Sequence, residues 1–157
     1  MAQSTRFQPF ANRVQAHRNA LGLSRKELAA KFFSPMTEHT IADWENGNYK
    51  PVGEMRAQLV EALEIPRWWE LFIPEEEAAE LTSAQARLLL TARHVQSDTY
   101  FLYVRSTTSK ERKLATTLSN HYLVQAAGPD KHHKGTYLWQ VTSWGEEIHD
   151  VLKDGRR

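Results

Sequence analysis

The chain contains no cysteine in 157 residues, which excludes disulfides and thiolate metal sites and is compatible with a reducing compartment. It has no uninterrupted apolar span long enough to cross a bilayer, and its opening, MAQSTRFQPFANR, lacks the apolar stretch of a secretion signal. The expected address is the cytoplasm or nucleoid, with no membrane partner. Neither sign of charge dominates: 20 Lys and Arg face 19 Asp and Glu, a net +1, so the chain as a whole exerts no global attraction on a polyanion. Also missing are a glycine-rich phosphate loop, a His-Glu-x-x-His pair and a nucleophile elbow, so no catalyst is nominated. The expectation is a protein that is not an enzyme and uses no cofactor. No low-complexity tract or internal period points to a repeat architecture.

What is present is a 41% hydrophobic composition, enough for one ordinary core or two small ones. Charge is unevenly spread. From Leu81 to Arg157 there are 11 basic and 7 acidic residues, whereas Leu71 to Glu80 has only glutamates among its charged residues. Glu75-Glu76-Glu77 behind Pro74 favours a helical turn but offers no apolar face. Residues 74–81 are therefore expected to be an acidic connector between a domain over 1–73 and another over 82–157.

The segment Arg13 to Pro51 carries the densest signal. Phe10, Val14, His17 or Arg18, and Leu21 recur at helical spacing before Gly22, which predicts a first helix from Ala11 to Leu21. Ser24 and Glu27 make a capping box for a second helix, Arg25 to Phe32, with Leu28 and Ala29 on its buried side. Ser34-Pro35-Met36 must break that helix. Thr37 then caps a third, Glu38 to Asn46, with Ile41 and Trp44 inward and Glu38, His39, Ala42 and Asp43 outward.

Arg18, Gly22-Leu23-Ser24, Glu27-Leu28-Ala29, Thr40-Ile41, Trp44-Glu45-Asn46-Gly47, Pro51 and a helical Met55 to Leu63 together resemble the Cro/C1-type helix-turn-helix family, also called the XRE family. The likeness covers about residues 10 to 72, with Ile65 to Trp69 similar to that family's fifth helix. It implies a five-helix domain whose third helix enters the major groove of double-stranded DNA, usually as a homodimer on two half-sites. It also implies a pair between Arg18 and Glu45. Thr37, Glu38, His39, Thr40 and Asp43 then form the reading helix and its cap, while Arg25, Asn46, Asn48 and Lys50 match positions that approach phosphates. Two departures stand out. The connection at Phe33 to Met36 is two residues longer than usual for the family, and Glu38, His39 and Asp43 replace its commoner glutamine, arginine and lysine. Carboxylates can still accept from the cytosine amino group, and histidine can bond a guanine acceptor.

The second half predicts a capped helix from Ser83 to His94 behind Thr82 and Gln85, then a strand over Thr99 to Arg105 or a buried helical segment. Thr108 and Glu111 cap a helix from Ser109 to Tyr122 with a basic outer side. Tyr122 to Ala126 and Thr136 to Val141 read as a hairpin with a polar tip at Gly128 to Gly135, and Ser143 with Glu146 caps a last helix through Leu152. This run resembles, over roughly Thr82 to Leu152, the wing end of a bacterial winged-helix domain. That likeness implies phosphate contacts from Lys110, Arg112 and Lys113 on a recognition helix and from Lys131, His132, His133 and Lys134 on the wing. Alternatively those charges are only solvated and the domain dimerises. His132-His133 lacks a partner ligand at a recognised metal spacing.

The fold class expected is thus mainly α with a small β-hairpin: a five-helix Cro/C1-type domain followed by a winged-helix-like α+β domain. The expected function is a bacterial or phage transcriptional regulator, most plainly a repressor on a pseudo-palindromic operator. The competing expectation is an antitoxin-type module that grips a protein partner and autoregulates.

Overall fold

The computed structural model describes residues 6–95 and 98–155. The first five residues of the opening read for a secretion signal lie outside them, as do the outer limits of the two expected domains at residues 1 and 157. The chain forms two compact units, residues 1–72 and 73–157. Its described residues hold eight α-helices, one 3-10 turn and a four-stranded antiparallel sheet. The fold class is therefore mixed α+β, with more sheet than the expected mainly α fold class with a small β-hairpin, the strand read over Thr99 to Arg105 being part of it.

In the first unit, α1 (Gln8–Ala20) starts earlier than expected because Pro9 falls in its first turn, where a missing amide costs nothing. It buries Phe10, Ala11 and Val14. The Ser24–Glu27 capping box opens α2 (Arg25–Ala30): Glu27 N donates to Ser24 Oγ at 3.0 Å, and Ser24 N donates to Glu27 Oε1 at 2.9 Å. The helix stops short of Phe32, yet that ring is still buried, 5.9 Å from Trp44 between centroids. Thr37 caps α3 (Glu38–Glu45) by accepting from Thr40 N. Gly47 closes α3 in the left-handed region at φ +77°, and a Cβ there would lie 3.2 Å from Gln8 Oε1, so the turn admits glycine. α4 (Met55–Ala62) follows as expected. The expected fifth helix is reduced to one 3-10 turn, Trp68–Glu70: Pro66 holds the residue before it extended, and Pro74 follows four residues after the turn. α3 lies against both α1 and α2, over a core of Val14, Leu28, Ile41, Leu59, Leu71 and Phe72.

The second unit contains α5 (Pro74–Glu80), α6 (Ser83–Leu90), β1 (Arg93–Val95), β2 (Asp98–Ser106), α7 (Ser109–Asn120), β3 (Val124–Pro129), β4 (Tyr137–Val141) and α8 (Ser143–Lys153). The sheet order is β1-β2-β4-β3. Four sequence expectations are corrected here. The acidic connector is a helix seated on α8 that buries Glu77 and Ala78, so it belongs to this unit. The helix predicted to reach His94 ends at Leu90, because Arg93 is drawn into a strand opposite Tyr103. Tyr122 does not begin a strand: it sits at φ 60°, and β3 starts two residues later. Finally, the N-cap of α8 is Thr142, whose Oγ1 accepts from Gly145 N at 3.0 Å and donates to Tyr122 O at 2.6 Å. The strand over Thr99 to Arg105 is present within β2, and the capping boxes of α6 and α7 are both formed.

Candidate nucleic-acid interface

The outer face of α3 is set by what its inner face does. Ile41 and Trp44 are buried, and Glu45 is fixed by two arginines. Arg18 of α1 donates from Nε to Oε2 at 2.6 Å and from Nη2 to Oε1 at 2.9 Å, while a third nitrogen, Nη1, donates to Leu23 O at 2.8 Å. The Glu45 hydrogen bonds raise the Arg18 pKa above its ordinary value, so the guanidinium stays charged. Arg25 Nε adds a longer contact to Glu45 Oε1, 3.3 Å. With α3 locked this way, Thr37, Glu38 and His39 are exposed and Thr40 and Asp43 half-exposed. His39 Nε2 lies 3.7 Å from Asp43 Oδ2 one turn on.

The expected phosphate-approaching residues divide. Asn46 is exposed at the end of α3, and Asn48, half-buried, donates its backbone N–H to Asp43 O at 3.3 Å. Arg25 is 40% exposed while reaching Glu45, which leaves part of its fork available to solvent. Lys50 is placed differently: its ammonium lies 5.1 to 5.6 Å from the ring centres of Phe10, Phe72 and Phe7. These are cation–π distances, so the three rings draw the half-buried Lys50 side chain toward α1.

In the second unit, Lys110, Arg112 and Lys113 are exposed on α7, and Lys131, His132, His133 and Lys134 are exposed on the β3–β4 loop. Arg112 Nη2 donates to Gly135 O at 3.4 Å, so this end of the helix touches the loop, whereas Lys110 lies toward Ala84 and Arg87 of α6. A residue that sequence reasoning passed over shapes the loop. Asp130 is buried: its Oδ1 accepts from His132 N at 2.9 Å, and its Oδ2 lies 3.1 Å from His133 Nδ1 and 3.7 Å from Arg105 Nε. Its backbone N donates to Thr136 O at 2.9 Å, closing the turn. The His132 N–H chiefly, with His133 and Arg105, holds the Asp130 carboxyl below the ordinary carboxylate range. The legible signal was Pro-Asp at a turn, since aspartate bonds the backbone two residues on. Beside it, a pocket of about 210 Å3 is walled by Val95, Leu138 and Pro129 and rimmed by Arg105, Lys131 and His132.

Chemically, the α3 face offers short polar groups suited to base edges and little positive charge, whereas the α7 and loop surface offers cations without a reading pattern. No protein-family model matches the chain, and no curated protein or solved structure matches it. No helix among the described residues is long and apolar enough to cross a membrane.

Proposed function

We propose that the chain is a DNA-binding transcriptional regulator of the cytoplasm or nucleoid, working as a homodimer on a two-fold operator. The observation that carries this reading is α3 itself: capped at Thr37, seated across α1 and α2, tied down through Glu45, and presenting Glu38 and His39 to solvent. A helix so held by its inner face has its outer face free for a groove, which supports the Cro/C1-type resemblance of the first unit. The exposed cations of α7 and of the β3–β4 loop support a second, salt-sensitive contact with backbone phosphates, in keeping with a winged-helix-like second unit. Occupancy of a site overlapping a promoter makes the regulator a repressor.

Selection of duplexes from a random library by the full chain tests the reading. A two-fold motif that disappears in the Glu38→Ala, His39→Ala, Asp43→Ala triple variant supports it; no enriched motif at low salt overturns it.

A protein-gripping module is the second reading, favoured by large rings left in water on the first unit. Phe33, in the α2–α3 connection, is 97% exposed, and Tyr49 and Trp69 are exposed too. Stoichiometric co-purification of a small protein, lost in Phe33→Ser, separates this from operator binding.

A further inference from the structure

The second unit brings three potential ligand atoms together at a place that neither α3 nor the basic loop involves. Glu77 and Glu80 are one turn apart on α5, and His121 is the C-cap of α7. One ligand atom from each lies within 4.8 Å of the others. Glu77 is only 4% exposed, so its carboxylate lies inside the unit rather than on its surface. From this geometry we propose that Glu77, Glu80 and His121 bind a divalent transition-metal ion, with Zn2+ as the representative.

Bonds of about 2.0–2.2 Å place the corners of a tetrahedron roughly 3.4 Å apart, so the three atoms need to close by an ångström or so. Glu80, half-buried at the end of its helix, has the freedom to do so. Two carboxylates and a neutral imidazole cancel the charge of a dipositive ion, and a water completes the set. The imidazole separates this site from a calcium or magnesium site, which takes oxygen ligands. The surroundings help as well: Glu80 is the last residue of α5, His121 follows the last residue of α7, and helix C-termini carry partial negative charge. His121 is held in place by its neighbour. The Tyr122 ring stands edge-on to Trp144 at 5.0 Å, and the Tyr122 carbonyl accepts from Thr142 Oγ1. A bound ion would therefore staple α5 to the end of α7.

The test uses the full chain, stripped with chelator and titrated with Zn2+, read by native mass spectrometry, calorimetry and thermal unfolding. One ion per chain is expected, with a rise in Tm that Mg2+ does not reproduce. His121→Gln and Glu80→Gln should each weaken binding at least tenfold and abolish the Tm rise, whereas the His132→Ala, His133→Ala double variant should bind as the parent does. Should His121→Gln fail to fold, Glu80→Gln, at a half-exposed position, supplies the comparison. The proposal is overturned by the absence of saturable one-to-one binding below roughly 1 mM, by affinity unchanged in Glu80→Gln, or by loss of binding in the His132, His133 variant. None of these readouts depends on DNA binding.

Discussion

Arg18 and Glu45 form a two-pronged ion pair between α1 and the last residue of α3, with a glutamate side chain of zero exposure and an arginine side chain of 11%. Removing Arg18 leaves the buried Glu45 only its longer 3.3 Å contact with Arg25, and breaking a buried pair typically costs about 3–5 kcal/mol. Arg18→Ala should accordingly lower the urea midpoint by that equivalent with an unchanged m-value. Arg18→Lys keeps the charge but loses the fork and should fall between. A loss under about 1 kcal/mol would place the pair with ordinary surface bridges.

Gly145 makes the opposite kind of prediction. It lies inside α8, where alanine in place of glycine ordinarily gains about 1 kcal/mol. Here a Cβ would stand 2.0 Å from Leu123 O and 2.7 Å from Val141 Cγ1, so α8 would have to lift off the backbone leading into β3. Gly145→Ala should destabilise the protein by roughly 1–3 kcal/mol, as overpacking does. Chemical denaturation decides it, since a stabilised variant would mean that α8 does not sit this close.

Asp130 ties the β3–β4 loop to the acid side of the stability curve. Its folded-state pKa is depressed, first by the His132 N–H, so the unfolded chain holds the proton more tightly. The stability it contributes is complete above the unfolded value of about 3.9 and is lost as pH falls through the lower folded value. Asp98, beside the Tyr103 hydroxyl, and Glu111, capped by Thr107 and Thr108, are shifted the same way. Comparison of the parent with Asp130→Asn isolates this residue: between about pH 5 and pH 2.5 the parent's urea midpoint should fall further. Parallel declines would remove Asp130 from the account.

For the basic residues of α7 and the β3–β4 loop, the observable is the salt dependence of DNA affinity. Each phosphate neutralised contributes about −0.9 to the slope of log K against log salt. Replacing Lys110, Lys113, Lys131 and Lys134 together by alanine should flatten that slope by roughly 3.6 if all four touch the backbone. An unchanged slope would leave these lysines as solvated charges.

The features legible in the sequence are those decided within a few residues. Capping at Ser24, Thr37, Thr82 and Thr108, the break at Ser34-Pro35 and the inward Ile41 and Trp44 all rest on local chemistry, and the structure has them. Reading failed where a distant partner decides. Arg93 joins a strand because Tyr103 lies across from it. Glu77 is buried because α8 covers α5, which no count of glutamates reveals. Lys50 lies over the rings of Phe7, Phe10 and Phe72, two of them in or beside α1, far upstream. Thr142 and Ser143 are equally good caps by composition, and the Tyr122 carbonyl selects Thr142. On the candidate site, exposure of α3 was readable, whereas Asp130 as organiser of the basic loop depends on Arg105 from another strand.

The two borders of the sheet also limit how copies of the chain can meet. β1, on one border, is three residues long, breaks register between Arg93 and Val95, and exposes Arg93 and His94. β3, on the other, breaks register between Ala126 and Gly128 and ends in Pro129, which has no amide to donate. Short, irregular, charged or proline-tipped borders resist strand addition. Neither border strand offers a second copy a long straight ladder, so continuation of the sheet through β1 or β3, the route to fibrous aggregates, is disfavoured.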